Sequence, residues 1–280
     1  MKKIGFVDHY LSEWHANNYP EWIRQANERL GLDFELCFAF GELEISPFDG
    51  ASSDEWCRKY GAKKCETIEE LCEKSDAIFI LAPSDPETHL RLAEQVLPFG
   101  KPTYIDKTFA ENYEVAQKIF ELGEKYNAPF FSTSALRYAE EFSEIGEMNN
   151  AVITAGGDDF EEYIIHPVEI FVSALRKRAE KVKVETMGKT KICRILAENE
   201  KESAILFSPT FGYSILGEGS SGENKRIDAG WDFFPSLIEK ILQFFEDKKL
   251  PFEPSETLEV MRLRDGIIKA EKQNGEWMEI

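Results

Sequence analysis

Residues 75–131 read SDAIFILAPSDPETHLRLAEQVLPFGKPTYIDKTFAENYEVAQKIFELGEKYNAPFF, and this stretch decides the fold. Residues 77–81 form a continuous apolar run, which is typical of a strand buried on both faces. Two further strands are predicted at 102–105 and 129–132, and the segments between the three strands have the apolar spacing of helices. Strands that alternate with helices in this way predict a parallel sheet with crossover helices.

The same alternation extends back to the N-terminus. Residues 3–7 (KIGFV) and 34–40 (FELCFAF) are apolar runs that predict two more strands of this sheet. A helix is predicted between them over 19–30, and Gly31 ends it. Together these segments predict a Rossmann-like, doubly wound α/β domain over residues 1–130.

The pattern changes after residue 134. The predicted strands become longer and alternate apolar with polar residues, as in an antiparallel sheet with one face in water. Helices are predicted over 162–175, 234–245 and 255–272. We therefore expect a second domain over residues 131–280, of the α+β class, with an open and largely antiparallel sheet.

The charge balance limits the partners. The chain has 33 Lys plus Arg against 52 Asp plus Glu, a formal net charge of −19. Nucleic acid and anionic membranes are bound through clustered cations, so we expect neither as a partner. No apolar stretch reaches the roughly 18 residues of a membrane span, and the N-terminus lacks the apolar core of a signal peptide. We expect a cytoplasmic protein that binds a small-molecule substrate.

Five cysteines are an odd number, and none of them has CxxC spacing. This pattern argues against a disulfide framework and against a zinc site, so we predict no metal cofactor. A metal site formed by Asp8, His9 and His15 in one turn is the weaker alternative.

The turn after the first predicted strand is where a dinucleotide-binding domain carries GxGxxG. Its glycines permit a tight bend and let the backbone approach the pyrophosphate. Here the turn reads DHYLSEWH, and the glycine positions hold Asp8, Tyr10 and Glu13. Two acids at these positions disfavour a polyanionic cofactor. Trp14 and His15, in the same turn, form either a ligand platform or simple packing.

Three further motifs follow strand ends or open the second domain. The loop 82–89 reads APSDPETH, residues 106–108 read DKT, and residues 134–138 read SALRY. In this order they resemble the Thr-Pro loop followed by His, the Glu-Lys-Pro step and the Arg-aromatic step of the Gfo/Idh/MocA family of glucose-fructose oxidoreductases and inositol dehydrogenases. The resemblance spans nearly the whole chain and includes the closing helix, helix and strand pattern of residues 234–280.

Residues 162–169 read EYIIHPVE and resemble the family's catalytic helix, Asp-x-Gly-x-His-x-x-Asp. The resemblance implies that Lys107 and His166 share proton transfer with a substrate hydroxyl or carbonyl, and that Glu162 orients a sugar. The offsets would place Glu162, His166 and Glu169 on one helix face. Because Pro167 is tolerated only in a first turn, a helix that begins near His166 is the alternative, and it would move Glu162 off that face.

The resemblance also implies binding residues, NAD or NADP as cofactor, and a homo-oligomer (dimer or tetramer) formed through the second sheet. The implied cofactor contacts are Asp8, Tyr10, Asp49, Pro83, His89 and Asp106, with Asp49 as the acid that would meet the adenosine ribose. The implied substrate contacts are Arg137 and Glu169. Each catalytic assignment has a structural alternative: a solvated cation for Lys107, and a satisfied core histidine for His166.

Three hypotheses follow from the sequence. The leading one is an NAD(P)-dependent oxidoreductase that acts on a sugar, a polyol or a related small carbonyl compound. The missing glycines motivate a rival of another class, a family-shaped protein that has lost dinucleotide binding and serves as a ligand-binding or regulatory subunit. A cofactor-free lyase or epimerase that uses the same lysine and histidine is the third.

Overall fold

The computed structural model describes residues 1–146, 148–198, 201–219, 221–273 and 275–280. These residues form two compact units. The first unit comprises residues 1–133 and 234–254, and the second comprises residues 134–233 and 255–280. The first boundary between the units, after residue 133, lies close to the boundary expected at 130. Residues 234–254, which were expected in the second domain, belong to the first unit.

The first unit contains a six-stranded sheet in the order β3-β2-β1-β4-β5-β6, with every ladder parallel. Its strands are β1 (Lys2–Asp8), β2 (Phe34–Gly41), β3 (Lys63–Lys64), β4 (Ala77–Ile80), β5 (Thr103–Ile105) and β6 (Phe130–Phe131). Its first five helices are α1 (Trp14–Leu30), α2 (Ser53–Tyr60), α3 (Ile68–Lys74), α4 (His89–Val96) and α5 (Tyr113–Tyr126). The strand order reverses between β1 and β4, which is where sheets of this type bind ligands.

The core of the first unit follows from the apolar runs. Ile4, Phe6 and the whole of β4 are buried, so the central strands have apolar neighbours on both faces. Gly5 lies between them because a Cβ there would come within 2.4 Å of the Leu71 side chain on α3. The absence of a side chain at this point lets the helix pack directly on the sheet.

The second unit contains a seven-stranded mixed sheet in the order β12-β11-β7-β10-β9-β8-β13. In the part of the chain that the structure describes, β7 and β10 pair in parallel, and the other ladders of this sheet are antiparallel. The remaining elements in chain order are β7 (Met148–Ala155), α6 (Phe160–Tyr163), α7 (Ile165–Leu175), β8 (Ala179–Met187), β9 (Thr190–Ala197), β10 (Glu202–Phe207), β11 (Ser214–Gly219), β12 (Asn224–Asp228), α8 (Phe233–Asp247), α9 (Pro254–Glu271) and β13 (Met278–Glu279). The predicted fold class is confirmed in both units.

Helix α8 packs in the first unit because of its aromatic side chains. Phe245 meets Phe79 edge-on at a ring-centroid distance of 5.2 Å, and Phe244 meets Phe131 in the same way at 5.1 Å. These contacts complete one face of the parallel sheet. Among the described residues, no helix has the combined length and apolar character that crossing a bilayer requires.

Candidate functional site

The turn after β1 begins with a buried carboxyl group. Asp8 has no exposure to solvent; its Oδ1 accepts the N–H of Ala82 at 3.0 Å, while its Oδ2 has no hydrogen-bond partner among the described residues. Burial, and then the neighbouring Glu13, raise the pKa of Asp8 well above its usual value. The first position of the expected glycine motif is therefore a desolvated acid that points into the protein.

The N-terminus of α1 is capped by a second buried acid. The side chain of Glu13 accepts the N–H of His15 at 2.7 Å and the N–H of Ala16. A helix N-terminus offers these N–H groups to a cofactor pyrophosphate in a dinucleotide-binding fold. In this chain the Glu13 carboxyl group occupies them instead. The cap also makes α1 begin at Trp14, five residues before the predicted start.

The loop after β2 is fastened to the same turn. The Ser12 hydroxyl donates to Asp49 Oδ2 at 2.7 Å, and the Ser46 hydroxyl donates to the Ser12 carbonyl at 2.7 Å. Asp49 Oδ1 also accepts the N–H of Ala51 at 3.0 Å. The acid expected to meet a ribose thus has both oxygens engaged within this chain, and the loop that carries it lies against the first turn.

These residues do not fit a dinucleotide pyrophosphate. The donors at the helix N-terminus are taken by Glu13, a buried carboxyl replaces the first glycine, and Tyr10 places a side chain where a second glycine would let the cofactor approach. Either acid, when ionised, would repel a bound polyphosphate strongly at low dielectric.

The other residues expected at the cofactor lie around the ends of β4 and β5. The Lys107 ammonium donates to the Pro83 carbonyl at 3.1 Å, and the Lys107 N–H donates to Asp106 Oδ1 at 2.8 Å. His89 is fully buried, with Nε2 at 2.5 Å from the Leu81 carbonyl oxygen and Nδ1 at 3.0 Å from the Phe109 carbonyl oxygen. Both ring nitrogens of His89 therefore face main-chain acceptors, which fixes the loop after β4.

One pairing at this edge was not predicted from the sequence. His15 Nδ1 is hydrogen-bonded to Asp106 Oδ2, although the two residues are 91 positions apart. The sequence signal was indirect: His15 follows β1 and Asp106 follows β5, and the carboxyl ends of parallel strands share one edge of the sheet. Among the described residues, no group of three or more His, Cys, Asp or Glu side chains could hold a metal ion.

In the second unit, the predicted catalytic helix is divided. Helix α6 ends at Tyr163 and α7 begins at Ile165, so Pro167 lies in the first turn of α7, where its missing N–H costs nothing. Glu162 belongs to α6, whose N-terminus is capped by Asp159. One continuous helix therefore does not carry Glu162, His166 and Glu169, and the alternative helix start near His166 describes the chain better.

His166 is held by a neighbouring hydroxyl and two aromatic rings. Its Nδ1 lies 2.8 Å from Ser134 Oγ, and its ring meets Tyr213 edge-on and Tyr163 at a tilt, both at centroid distances of 5.9 Å. The side chain is half-buried. A fixed, partly accessible imidazole is suited to proton transfer.

Arg137 and Glu169, expected to bind substrate, contact each other. Arg137 Nε lies 2.5 Å from Glu169 Oε1, and Arg137 Nη1 lies 2.7 Å from Glu256 Oε2. Burial opposes the charge of Arg137, but the two glutamates raise its pKa. Glu169 also accepts the N–H of Ser134 at 3.4 Å, which links this ion pair to the serine beside His166. The ion pair therefore helps to position Ser134, the residue that is hydrogen-bonded to His166.

A cavity of about 550 Å³ lies next to Tyr213, the residue whose ring contacts His166. Tyr213 lines it together with Thr154, Ser214, Arg226 and Trp231. Hydroxyl groups, an arginine and an exposed indole suit a small polar ligand, and the volume lies in the usual range of small-molecule sites. Burial raises the pKa of Tyr213 to about 12, so its hydroxyl stays protonated at neutral pH.

No protein-family model and no curated protein matches the sequence. Solved structures match the chain along its whole length. The myo-inositol dehydrogenase of Lactobacillus casei, in complex with NAD(H) and myo-inositol, has a TM-score of 0.79 at 10% identity and covers 100% of this chain and 96% of its own. The UDP-N-acetylglucosamine 3-dehydrogenase of Acidithiobacillus ferrooxidans has a TM-score of 0.76 at 12% identity, with 97% and 98% covered. GenD2 from gentamicin A biosynthesis, in complex with NAD, has a TM-score of 0.76 at 12% identity, with 100% and 97% covered.

The chain has the fold of these dehydrogenases. At such low identity the similarity establishes the architecture, whereas function depends on the residues at the site. Lys107 belongs to the first unit, and Glu162 and His166 belong to the second. Their catalytic roles are proposals.

Proposed function

We propose that the protein is a divergent member of the Gfo/Idh/MocA family and an enzyme that transfers protons on a sugar, a polyol or a related small carbonyl compound. Lys107 and His166 are its proposed proton-transfer residues. The observation that carries the proposal is the fixed imidazole of His166, held by Ser134 and separated by one ring, Tyr213, from a cavity of small-molecule size.

The turn after β1 supports our choice of reaction class. Hydride transfer requires a cofactor, and the turn after β1 holds two acids where a dinucleotide would place its pyrophosphate. We therefore favour a cofactor-free reaction, in which a proton is removed from a carbon next to a carbonyl group. Epimerisation and elimination both begin with this step, and both need only a base and an acid.

An NAD(P)-dependent oxidoreductase is the second candidate. It is favoured by the similarity of the whole chain to dehydrogenases that were solved with NAD or NAD(H). For this candidate the Glu13 side chain would have to leave the N–H groups of α1, which costs the cap of that helix. Calorimetric titration with NADH and NADPH tests it, since binding at or below millimolar concentration would displace the cofactor-free proposal.

The proton-transfer proposal is tested by isotope exchange. The purified protein is incubated in D₂O with a panel of aldoses, ketoses, inositols and sugar acids, and deuterium at carbon is followed by NMR. We expect incorporation with at least one compound, and a loss of about 100-fold or more in His166→Gln and Lys107→Ala, because a positioned acid or base contributes at least that factor.

Lys101→Ala serves as the matched control for Lys107, because Lys101 lies before β5 and contributes to no proposed site; its exchange rate should equal that of the wild type. If the protein binds compounds from the panel but exchanges no proton, the enzyme proposal is wrong and a ligand-binding or regulatory subunit is the better description.

A further inference from the structure

A histidine and an aspartate from distant parts of the chain form a buried pair at the carboxyl edge of the first sheet. His15 lies in the first turn of α1, and Asp106 follows β5. His15 is only 5% exposed and Asp106 is fully buried. Their hydrogen bond joins His15 Nδ1 to Asp106 Oδ2. A carboxylate on one ring nitrogen is the arrangement that orients an imidazole for proton transfer at the other.

The contacts of Asp106 determine which nitrogen carries the proton. Burial works against ionisation, but His15 and then Lys107 hold the pKa of Asp106 below its usual value. The carboxylate also accepts the Lys107 N–H at 2.8 Å and the Tyr104 hydroxyl at 3.3 Å. An ionised carboxylate can only accept hydrogen bonds, so Nδ1 of His15 donates to Asp106, and Nε2 is the ring nitrogen that remains for another partner.

The ring of His15 is fixed in position by aromatic neighbours. It stacks on Tyr19 at a centroid distance of 5.1 Å, and it meets Trp14 at 5.3 Å and Phe234 at 5.4 Å edge-on. The Nε2 atom makes no hydrogen bond to any of the residues that the structure describes. Nε2 is therefore held in a fixed orientation and has no hydrogen-bond partner in the described part of the chain.

We propose that His15 is a further general base of this protein and that Asp106 is its positioning residue. This inference rests on the proposed function. In the step, Nε2 takes the proton from a carbon next to the substrate carbonyl, the C–H electron pair forms the carbon–carbon double bond, and the carbonyl electrons move to its oxygen as an enolate. Return of the proton to either face of that carbon regenerates the carbonyl compound or its epimer.

Several polar and ionisable groups lie around His15. On α1, the Tyr19 hydroxyl lies 3.2 Å from Nδ1, and Glu13 accepts the His15 N–H at 2.7 Å. Asp8 at the end of β1 and Lys107 after Asp106 complete the surroundings. The Asp106 carboxylate is the nearest of these groups and favours the imidazolium that forms when the base accepts a proton.

The test compares deuterium exchange in His15→Gln and Asp106→Asn with the wild type, using the panel compound that exchanges fastest. We expect His15→Gln to lose about 100-fold or more in rate. We expect Asp106→Asn to lose rate, because the imidazole loses the carboxylate that holds Nδ1 in place. Asp106→Glu should restore part of the rate.

His9→Gln is the matched control, since His9 lies in the same turn and pairs with Glu42 at 2.9 Å, outside the pair of His15 and Asp106. Its exchange rate should be that of the wild type. An active wild type whose folded His15→Gln variant exchanges at full rate would overturn this inference alone. A wild type that exchanges no proton on any compound would overturn the proposed function as well.

A second measurement does not depend on the variants folding. Long-range ¹H–¹⁵N NMR spectra of the wild-type chain report the tautomer of each histidine. For the neutral form of the His15 ring we expect the proton on Nδ1, which faces Asp106. The opposite tautomer would overturn the proposed role of Asp106 and with it the base.

Discussion

Asp8 is a residue whose ionisation should reduce the stability of the fold. Its carboxyl group is fully buried, and burial with the neighbouring Glu13 raises its pKa well above the usual 3.8. Between those two pKa values the folded state binds more protons than the unfolded state, so the free energy of unfolding falls as pH rises through that interval. The contribution of the protonated Asp8 side chain to the free energy of unfolding is therefore fully present only at low pH.

We expect Asp8→Asn to be more stable than the wild type at pH 8 by more than about 1 kcal/mol, because the amide can still accept the Ala82 N–H and carries no charge. The advantage should shrink towards pH 4. Urea unfolding at several pH values measures it, with Asp54→Asn as an exposed control. A pH-independent difference between Asp8→Asn and the wild type would contradict the assignment.

The residues of the site were only partly predictable from the sequence. The spacing of DHYLSEWH correctly marked the first turn as unlike a glycine-rich turn, because that inference needs only local residues. The contact of His15 with Asp106 and the ion pair of Arg137 with Glu169 depend on how strands and helices meet, which spacing along the chain does not encode.

Helix α1 depends on an unusual cap, and its stability should show this. Glu13 accepts two main-chain N–H groups and places a carboxyl group at the positive end of the helix. We expect Glu13→Ala to reduce the free energy of unfolding by about 1 kcal/mol, as the loss of a helix cap does. Urea unfolding at neutral pH measures the change.

Glu21→Ala is the matched control, since Glu21 lies on the exposed side of the same helix and pairs with Arg24 at the surface. Equal stability of both variants would mean that the Glu13 contacts do not contribute to the cap.

Helix α8 should stabilise the first sheet in particular. Phe245 packs on Phe79 and also lies 6.1 Å from Phe34 between ring centroids. We expect Phe245→Ala to cost about 3–5 kcal/mol, as large-to-small changes in a core do. Hydrogen exchange measured by mass spectrometry should accelerate in β2 and β4 more than in β8 and β9.

Gln243→Ala provides the control on the exposed side of α8. Faster exchange confined to the second sheet in Phe245→Ala would contradict the assignment of α8 to the first unit.

The elements themselves were predicted well where the pattern is local. The apolar run 77–81 was found because a strand buried on both faces is apolar throughout. The strands of the second unit were found because a strand buried on one face alternates apolar with polar residues. Strand β12 and the early start of α1 were missed. The polar residues of β12 (NKRID) give no apolar alternation, and the Glu13 cap begins α1 upstream of the predicted start at residue 19.

At the level of the whole molecule, one face of the second sheet carries apolar side chains that are partly exposed. Leu216, Val152 and Ala204 are cross-strand partners on β11, β7 and β10, and Val152 is 38% exposed. We propose that this face joins copies of the chain into a dimer or tetramer, as expected from the sequence. Light scattering with size-exclusion chromatography should show an oligomer for the wild type and a monomer for Val152→Lys with Ala204→Lys.

The matched control is Lys189→Glu, which changes an exposed charge in the turn between β8 and β9. A monomeric wild type would rule out this proposal.

The Glu13 cap has a consequence for how this protein responds to its surroundings. A dehydrogenase that leaves its helix N-terminus to a diffusing nucleotide gains stability only in proportion to the nucleotide present, by mass action. Here the anion is tethered to the chain and is present at a high effective concentration at all times. We therefore expect its melting temperature to change little when NAD or NADP is added, and a thermal-shift titration with each nucleotide measures this.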